Sequence, residues 1–228
     1  SLYRKTPPVY RNEKHVFRYF CDGSIRTYFL GTVIEGDRSY PLELTQIGSA
    51  IVHRKSDGSL EVAKFERQIL LLVPHTGGRG ISETLLGELR KLENKLFRVI
   101  DVEVPDDLSK TRQDPRDKAG AKARFEMHLL ETRLITEFAD LRGPDEWTII
   151  DGGVRRGEFI ELPRTVGVAK SFDRTPTFSI RKGNKGTERR DISRLLMNLE
   201  YGCRTAAFFA HGGKVAFWYV RLRQQGEV

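Results

Sequence analysis

Cysteine is scarce: Cys21 and Cys203 are the chain's two, far apart and each set in apolar sequence. That spacing excludes a disulfide framework and any zinc-ligand pattern, and it fits a reducing, cytoplasmic setting. Long apolar runs are missing as well. No stretch approaches the roughly 20 apolar residues that cross a bilayer, and Ser1 to Pro8 lack the apolar core of a signal peptide, so no membrane partner is expected. The chain has no Gly-x-Ser-x-Gly elbow, no Cys–His pairing in a credible context and no dinucleotide fingerprint. Hydrolases with a covalent nucleophile and nicotinamide enzymes are therefore unattractive. The glycine-rich stretch Thr76-Gly77-Gly78-Arg79-Gly80 could cradle a phosphate at a helix start, but it lacks the Gly-Lys-Ser/Thr ending of a P-loop. The initiator Met is absent too, which reads as a trimmed or partial chain.

What is present is charge. The 228 residues, enough for one sizeable domain with its own core, carry a formal net charge of +8. An excess of that sign favours a polyanionic partner through counterion release, without choosing between DNA, RNA and an anionic membrane surface. The basic residues concentrate in Lys110 to Arg124, in Arg155-Arg156 and in Arg174 to Arg194. Any one such cluster reads as a solvated surface; three together point to a phosphate track.

Apolar patterning predicts an α/β chain. Val16 to Cys21, Tyr28 to Glu35 and Ile47 to Lys55 read as three strands of an antiparallel meander, separated by Gly23-Ser24 and Gly36-Asp37 turns. From residue 56 to 115 the pattern changes. An apolar run Ile69 to Val73 stops at Pro74, Ile81 to Arg98 has helical periodicity, and the stretch reads as an inserted helical subdomain within a single domain spanning 1–228. Phe125, Leu129, Leu130, Leu134, Phe138 and Leu141 then recur at helical spacing until Gly143-Pro144. The next run, Trp147 to Ile150, is short and continuous, as a buried strand is, and a helix feeding straight into it implies a parallel crossover. A strand at Thr165 to Lys170, a helix near Asp191 to Glu200 and a hairpin closed by His211-Gly212-Gly213 complete the order. Three meander strands, a helix, a buried strand and further strand and helix is the order of a ribonuclease H-like mixed sheet flanked by helices, in which the first and fourth strands are neighbours.

That order would bring together Asp22 and Asp151, each at the end of a strand and each followed by glycine. An aspartate at a sheet rim before a residue that lets the chain turn away presents its oxygens outward. With a glutamate from the long helix, three such carboxylates could hold Mg²⁺ or Mn²⁺, which prefer hard oxygen donors. The helix offers Glu126, Glu131 and Glu137. Asp-Gly is also the commonest turn signal, so neither dipeptide alone carries the reading. The remaining histidines weigh less: His128 reads as partly buried on the helix, and His15, His53 and His75 have no partner spacing. Phe208, Phe209, Phe217, Trp218 and Tyr219 read as a hairpin packed on a core.

Cys21-Asp22-Gly23-Ser24, the helical Glu131, Ile150-Asp151-Gly152, Val166-Gly167-Val168-Ala169-Lys170-Ser171 and Phe217-Trp218-Tyr219-Val220-Arg221-Leu222 together resemble the NurA nuclease family. The five segments match in order and type and reach across nearly the whole chain. The resemblance implies a Mn²⁺- or Mg²⁺-dependent DNA nuclease of ribonuclease H-like fold. It also implies a ring-like homodimer working with a HerA-type hexameric DNA-translocating ATPase, in DNA end processing or anti-phage defence. Carried over by position, Asp22, Glu131 and Asp151 look like the metal ligands, Glu126 or Glu137 being alternatives to Glu131. Lys170 looks like the basic residue that follows the later strand, and His211 or Tyr219 looks like the late residue near the metals. The chain departs from the family at Gly153, where serine is usual, and it lacks the acidic final segment many members have. Those departures keep a second reading open, a catalytically inactive nuclease-like module that binds DNA or caps an ATPase ring.

Overall fold

The computed structural model describes residues 2–8, 10, 15–104, 115–154, 160–169, 177–181 and 187–224, with side chains not described for 177–181, 187–190 and 211. The chain divides into two compact units. The larger comprises Val16–Asp151 with Glu161–Val166, and the smaller comprises Ser1–His15, Gly152–Ile160 and Gly167–Val228.

The larger unit is built on long strands. β2 (Phe17–Glu35), β3 (Arg38–Arg54) and β4 (Leu60–Thr76) form an antiparallel meander; β5 (Arg79–Gly80) and β6 (Phe97–Val102) join β4, the latter in parallel. α1 (Glu83–Arg90) precedes β6, and α2 (Pro115–Phe138) leads to β7 (Trp147–Asp151), which pairs in parallel with β2. With β8 (Thr165–Val168) the order across the sheet is β5-β4-β3-β2-β7-β8. The sheet is mixed and the helices are few.

Why α2 lies where it does follows from its small and apolar positions. Ala119, Ala123, Met127, Leu130 and Leu134 fall at helical spacing, are all buried, and make one stripe. The first four pack on Ile47 of β3, Leu70 and Leu72 of β4, and Ile100 and Val102 of β6. Leu71 and Val73, which alternate with those β4 residues, belong to a second cluster with Tyr40, Ile81, Leu86 and Val99. β4 is thus covered on both faces, and that is why its sequence is a continuous apolar run rather than an alternating one. The stretch set apart as an inserted helical subdomain supplies β4, β5 and β6 to the same sheet over residues 60–102, with α1, eight residues long, as its one described α-helix.

Two expected turns come out differently. Gly36, with φ of 62°, sits between Glu35 and Arg38 and closes the β2–β3 hairpin as expected. Gly23-Ser24 is not a turn: β2 runs straight through it, Gly23 opposite Ser49 and Ser24 opposite Gly48 on β3. The glycine is there because α2 crosses at that point. A Cβ on Gly23 would stand 2.9 Å from Glu131 Cδ and 3.1 Å from Met127 Sδ.

β7 is fastened by Arg142. Its buried guanidinium donates to Thr148 Oγ1 (3.0 Å) and to the carbonyls of Ala139 (3.2 Å), Arg164 (3.0 Å) and Pro163 (2.9 Å). Tyr19 on β2 packs edge-on against Phe138 of α2 and donates to Glu146 Oε2 at 3.1 Å. Burial and that carboxylate push the Tyr19 phenol pKa upward.

In the smaller unit, β1 (Tyr3–Lys5) pairs with β11 (Cys203–Thr205), and β9 (Thr177–Arg181) with β10 (Thr187–Asp191). A short helix α3 (Ser193–Met197) precedes β11. The hairpin read from sequence is present as β12 (Phe208–Ala210) and β13 (Val215–Phe217). Phe208 stacks on Phe217 as a packed hairpin would have it, while Phe209 and Trp218 are exposed.

Candidate functional site

The last pair of the β2–β7 ladder is Cys21 opposite Ile150. The next residues on the two strands are Asp22 and Asp151, so both carboxylates stand where the parallel pairing stops, and both residues are exposed. Asp22 Oδ1 accepts the Gly23 N–H at 2.9 Å, an amide beyond the end of that ladder. After Asp151 the chain turns away through Gly152, whose φ of 103° is a left-handed conformation that suits glycine.

Glu131 of α2 lies beside Gly23, the residue after Asp22. Its carboxylate rests against the Gly23 backbone with 14% of the side chain exposed, and its Oε2 lies 2.7 Å from His128 Nδ1. Successive strand residues point to opposite faces. Tyr19 and Gly23 face α2, so the Asp22 side chain leaves β2 from the other face. The neighbouring Cys21 thiol is buried, 3.6 Å from Ser49 Oγ. Desolvation pushes its pKa up to about 11; the Ser49 hydrogen bond opposes the rise, and the nearby Glu131 and Asp22 carboxylates add to it.

The other helix glutamates are occupied elsewhere. Glu126 is buried and meets Arg98 at 3.2 Å and Lys122 at 2.9 Å. Glu137 meets Lys64 at 2.6 Å and Arg133 at 4.0 Å, and the Lys64 hydrogen bond lowers its pKa. Of the three, Glu131 is the one laid against Gly23. His128 was expected to be partly buried; its side chain is half-exposed and it partners Glu131. The signal was available in the sequence, since positions three apart on a helix are neighbours.

Lys170 lies outside the described residues, and of His211 only the backbone is described, in the helical turn His211–Gly213 of the smaller unit. Tyr219, also in that unit, stacks edge-on with Phe217. The basic track is partly spoken for. Arg116 is 2.9 Å from Glu43, Lys118 is 3.0 Å from Glu103 and Lys122 is 2.9 Å from Glu126. Arg155, Arg156, Arg174 and residues 110–114 and 182–186 lie outside the described residues.

As donors, three carboxylates suit a hard divalent cation. Among the described residues no group of three or more His, Cys, Asp or Glu stands preassembled to hold a metal ion. Asp22 and Asp151 are exposed just past the last β2–β7 pair, and Glu131 lies beside Gly23. A scan against protein-family models gives no match, and no curated protein matches the chain.

Proposed function

We propose that this chain is a metal-dependent deoxyribonuclease of ribonuclease H-like fold that hydrolyses phosphodiester bonds. The observation that carries the reading is the register of β2 and β7, which puts Asp22 and Asp151 at adjacent positions just past the last parallel pair, with Glu131 lying against Gly23. The strand order β4-β3-β2-β7-β8, a meander joined by a parallel crossover, supports the fold assignment. Asp22, Glu131 and Asp151 would hold Mg²⁺ or Mn²⁺, which supplies charge neutralisation and an activated water when bound. The chain's own part is positional. The sheet fixes where Asp22 and Asp151 start, Gly23 lets α2 approach closely, and packing on that backbone orients Glu131. Lys170 and His211 are retained as candidate catalytic residues from the NurA resemblance. The same resemblance supplies the proposed partners, a second copy of the chain and a HerA-type ATPase, in DNA end processing or anti-phage defence.

Asp22→Asn and Asp151→Asn test this directly. Each is expected to abolish cleavage of linear DNA while leaving the circular dichroism spectrum unchanged; undiminished cleavage by both purified variants would contradict it. One observation favours the second reading, an inactive DNA-binding or ring-capping module: no carboxylate cluster is preassembled among the described residues. That reading expects salt-sensitive DNA binding indifferent to Mn²⁺, and turnover switched on by metal would end it.

A further inference from the structure

We propose that the face of the β2–β3–β4 meander turned away from α2 binds single-stranded DNA, stacking bases on Phe65 and Tyr28 and holding phosphates with Arg26, Arg54 and Arg67. The inference rests on the reading above for DNA as the nucleic acid, and its test needs neither metal nor cleavage. Strand alternation and register assign the face. Tyr19 and Gly23 face α2, so Phe20, Asp22, Ser24, Arg26 and Tyr28 leave β2 on the opposite side. Their neighbours across the sheet continue that side. Phe20 lies opposite Val52 and then Val62, Asp22 opposite Ala50 and then Phe65, and Ser24 opposite Gly48 and then Arg67. Gly48 bears the grouping out, since a Cβ there would meet Ser24 Oγ at 3.1 Å and the Phe65 ring at 3.8 Å. At one end the face is covered: Leu71, in line with Leu44 and Tyr28, belongs to the cluster that Leu86 of α1 joins. Toward the other end it lies open. Val62 is 66% exposed, Phe65 56% and Tyr28 46%.

An apolar patch left open on a sheet marks an interaction surface, and here its charges identify the occupant. The Arg54 guanidinium carbon lies 5.7 Å from the centre of the Phe20 ring, and that of Arg26 lies 5.5 Å from the centre of the Tyr28 ring. Neither Arg26 nor Arg67 meets a carboxylate among the described residues. The acid on these rows is Asp22. Pairing two copies through this face would gather the arginines of both on one seam, with a single carboxylate from each to offset them, so a second copy fits poorly. A polyanion fits. A duplex offers phosphates but keeps its bases stacked, whereas a single strand offers phosphates together with open base faces, which exposed rings beside arginines take up. From Tyr28 to Asp22 the strand runs about 20 Å, room for about six stacked nucleotides.

The test is fluorescence anisotropy of the full chain in EDTA with a labelled single-stranded DNA of about 12 nucleotides, and with the duplex of the same sequence. Wild type is expected to bind the single strand more tightly than the duplex. Phe65→Ala should weaken single-strand binding by about 5–150-fold and leave duplex binding unchanged, while Phe65→Tyr, which keeps a ring, should stay near wild type. Arg67→Gln should flatten the slope of log K against log salt by about 0.7. Phe65 and Arg67 are exposed, so these variants keep the fold, and urea unfolding checks that they do. Equal affinity of wild type for single strand and duplex, or Phe65→Ala within about twofold of wild type, overturns the proposal and leaves the nuclease reading to its own cleavage assay. A wild type that sediments as a dimer and a Phe65→Ala protein that sediments as a monomer give the face to a second copy and overturn it too. The expected binding without any metal-dependent cleavage upholds this surface and overturns the nuclease reading alone.

Discussion

Gly23→Ala is the substitution that best separates a glycine required by a turn from a glycine required by a neighbour. Gly23 sits inside β2, paired with Ser49, and its φ is not positive, so backbone strain plays no part. What a methyl meets is Glu131 Cδ at 2.9 Å and Met127 Sδ at 3.1 Å. Both belong to flexible side chains, so the cost falls at the low end of overpacking, about 1–3 kcal/mol. Moving Glu131 also breaks its hydrogen bond to His128, a loss of about 1 kcal/mol. Against this, removing a glycine from the unfolded chain contributes about 0.4–1 kcal/mol. The net is a destabilisation of about 1–2 kcal/mol, measured by urea unfolding at fixed m-value. The decisive arm is the double variant. If Glu131 is the obstruction, Gly23→Ala placed on Glu131→Ala should cost markedly less than it does alone, with a coupling of about 1 kcal/mol. Strict additivity, or a Gly23→Ala protein as stable as wild type, would refute the close approach of α2 to β2.

Other consequences concern stability and thiol chemistry. Arg142→Met should cost about 2–4 kcal/mol in urea unfolding, because the carbonyls of Pro163 and Arg164 and the Thr148 hydroxyl lose their donor; a cost under about 1 kcal/mol would show that water replaces it. Arg116→Ala leaves the buried Glu43 carboxylate without its partner and should cost about 1–3 kcal/mol, while Glu43→Gln/Arg116→Ala should recover part of that loss. For Cys21 the folded pKa, about 11, lies above its ordinary value of 9.0. The thiol is protonated in both states below about pH 9, and as the pH rises toward 11 only the unfolded chain ionises there, so wild type loses about 2–3 kcal/mol that Cys21→Ala keeps. Parallel pH profiles for the two proteins would contradict the burial of that thiol.

Much of the larger unit was legible because its signals are local. The Ile47 to Lys55 strand run, Gly36-Asp37, the α2 periodicity and the Gly143-Pro144 stop all depend on residues close in sequence, whereas the runs Val16 to Cys21 and Tyr28 to Glu35, expected as two strands, are one, β2. The rest depended on what arrives from elsewhere. Gly23-Ser24 carries turn chemistry, and only the packing of Glu131 and Met127 over it explains why it stays in a strand. Residues 60–76 look unlike the flanking strands because Leu70 to Val73 are covered on both faces, so the stretch reads as separate when it lies in the main sheet. The choice among Glu126, Glu131 and Glu137 was open in the sequence, since all three share one helix. Arg98, Lys122 and Lys64, which occupy two of them, come from β6, α2 and β4. The basic cluster before Arg124 is similar: its charges are plain in the sequence, but the carboxylates that meet Arg116 and Lys118 lie on β3 and just after β6.

The central claim is that the rim carrying Asp22 and Asp151 hydrolyses DNA with a divalent ion. It is tested by incubating the wild-type chain with end-labelled linear DNA in Mn²⁺, in Mg²⁺ and in EDTA, beside Asp22→Asn and with or without a HerA-type ATPase. Degradation that appears with metal, vanishes in EDTA and is lost in Asp22→Asn is the predicted result. No cleavage in any combination, with DNA binding retained, would contradict the nuclease and leave the inactive module in its place.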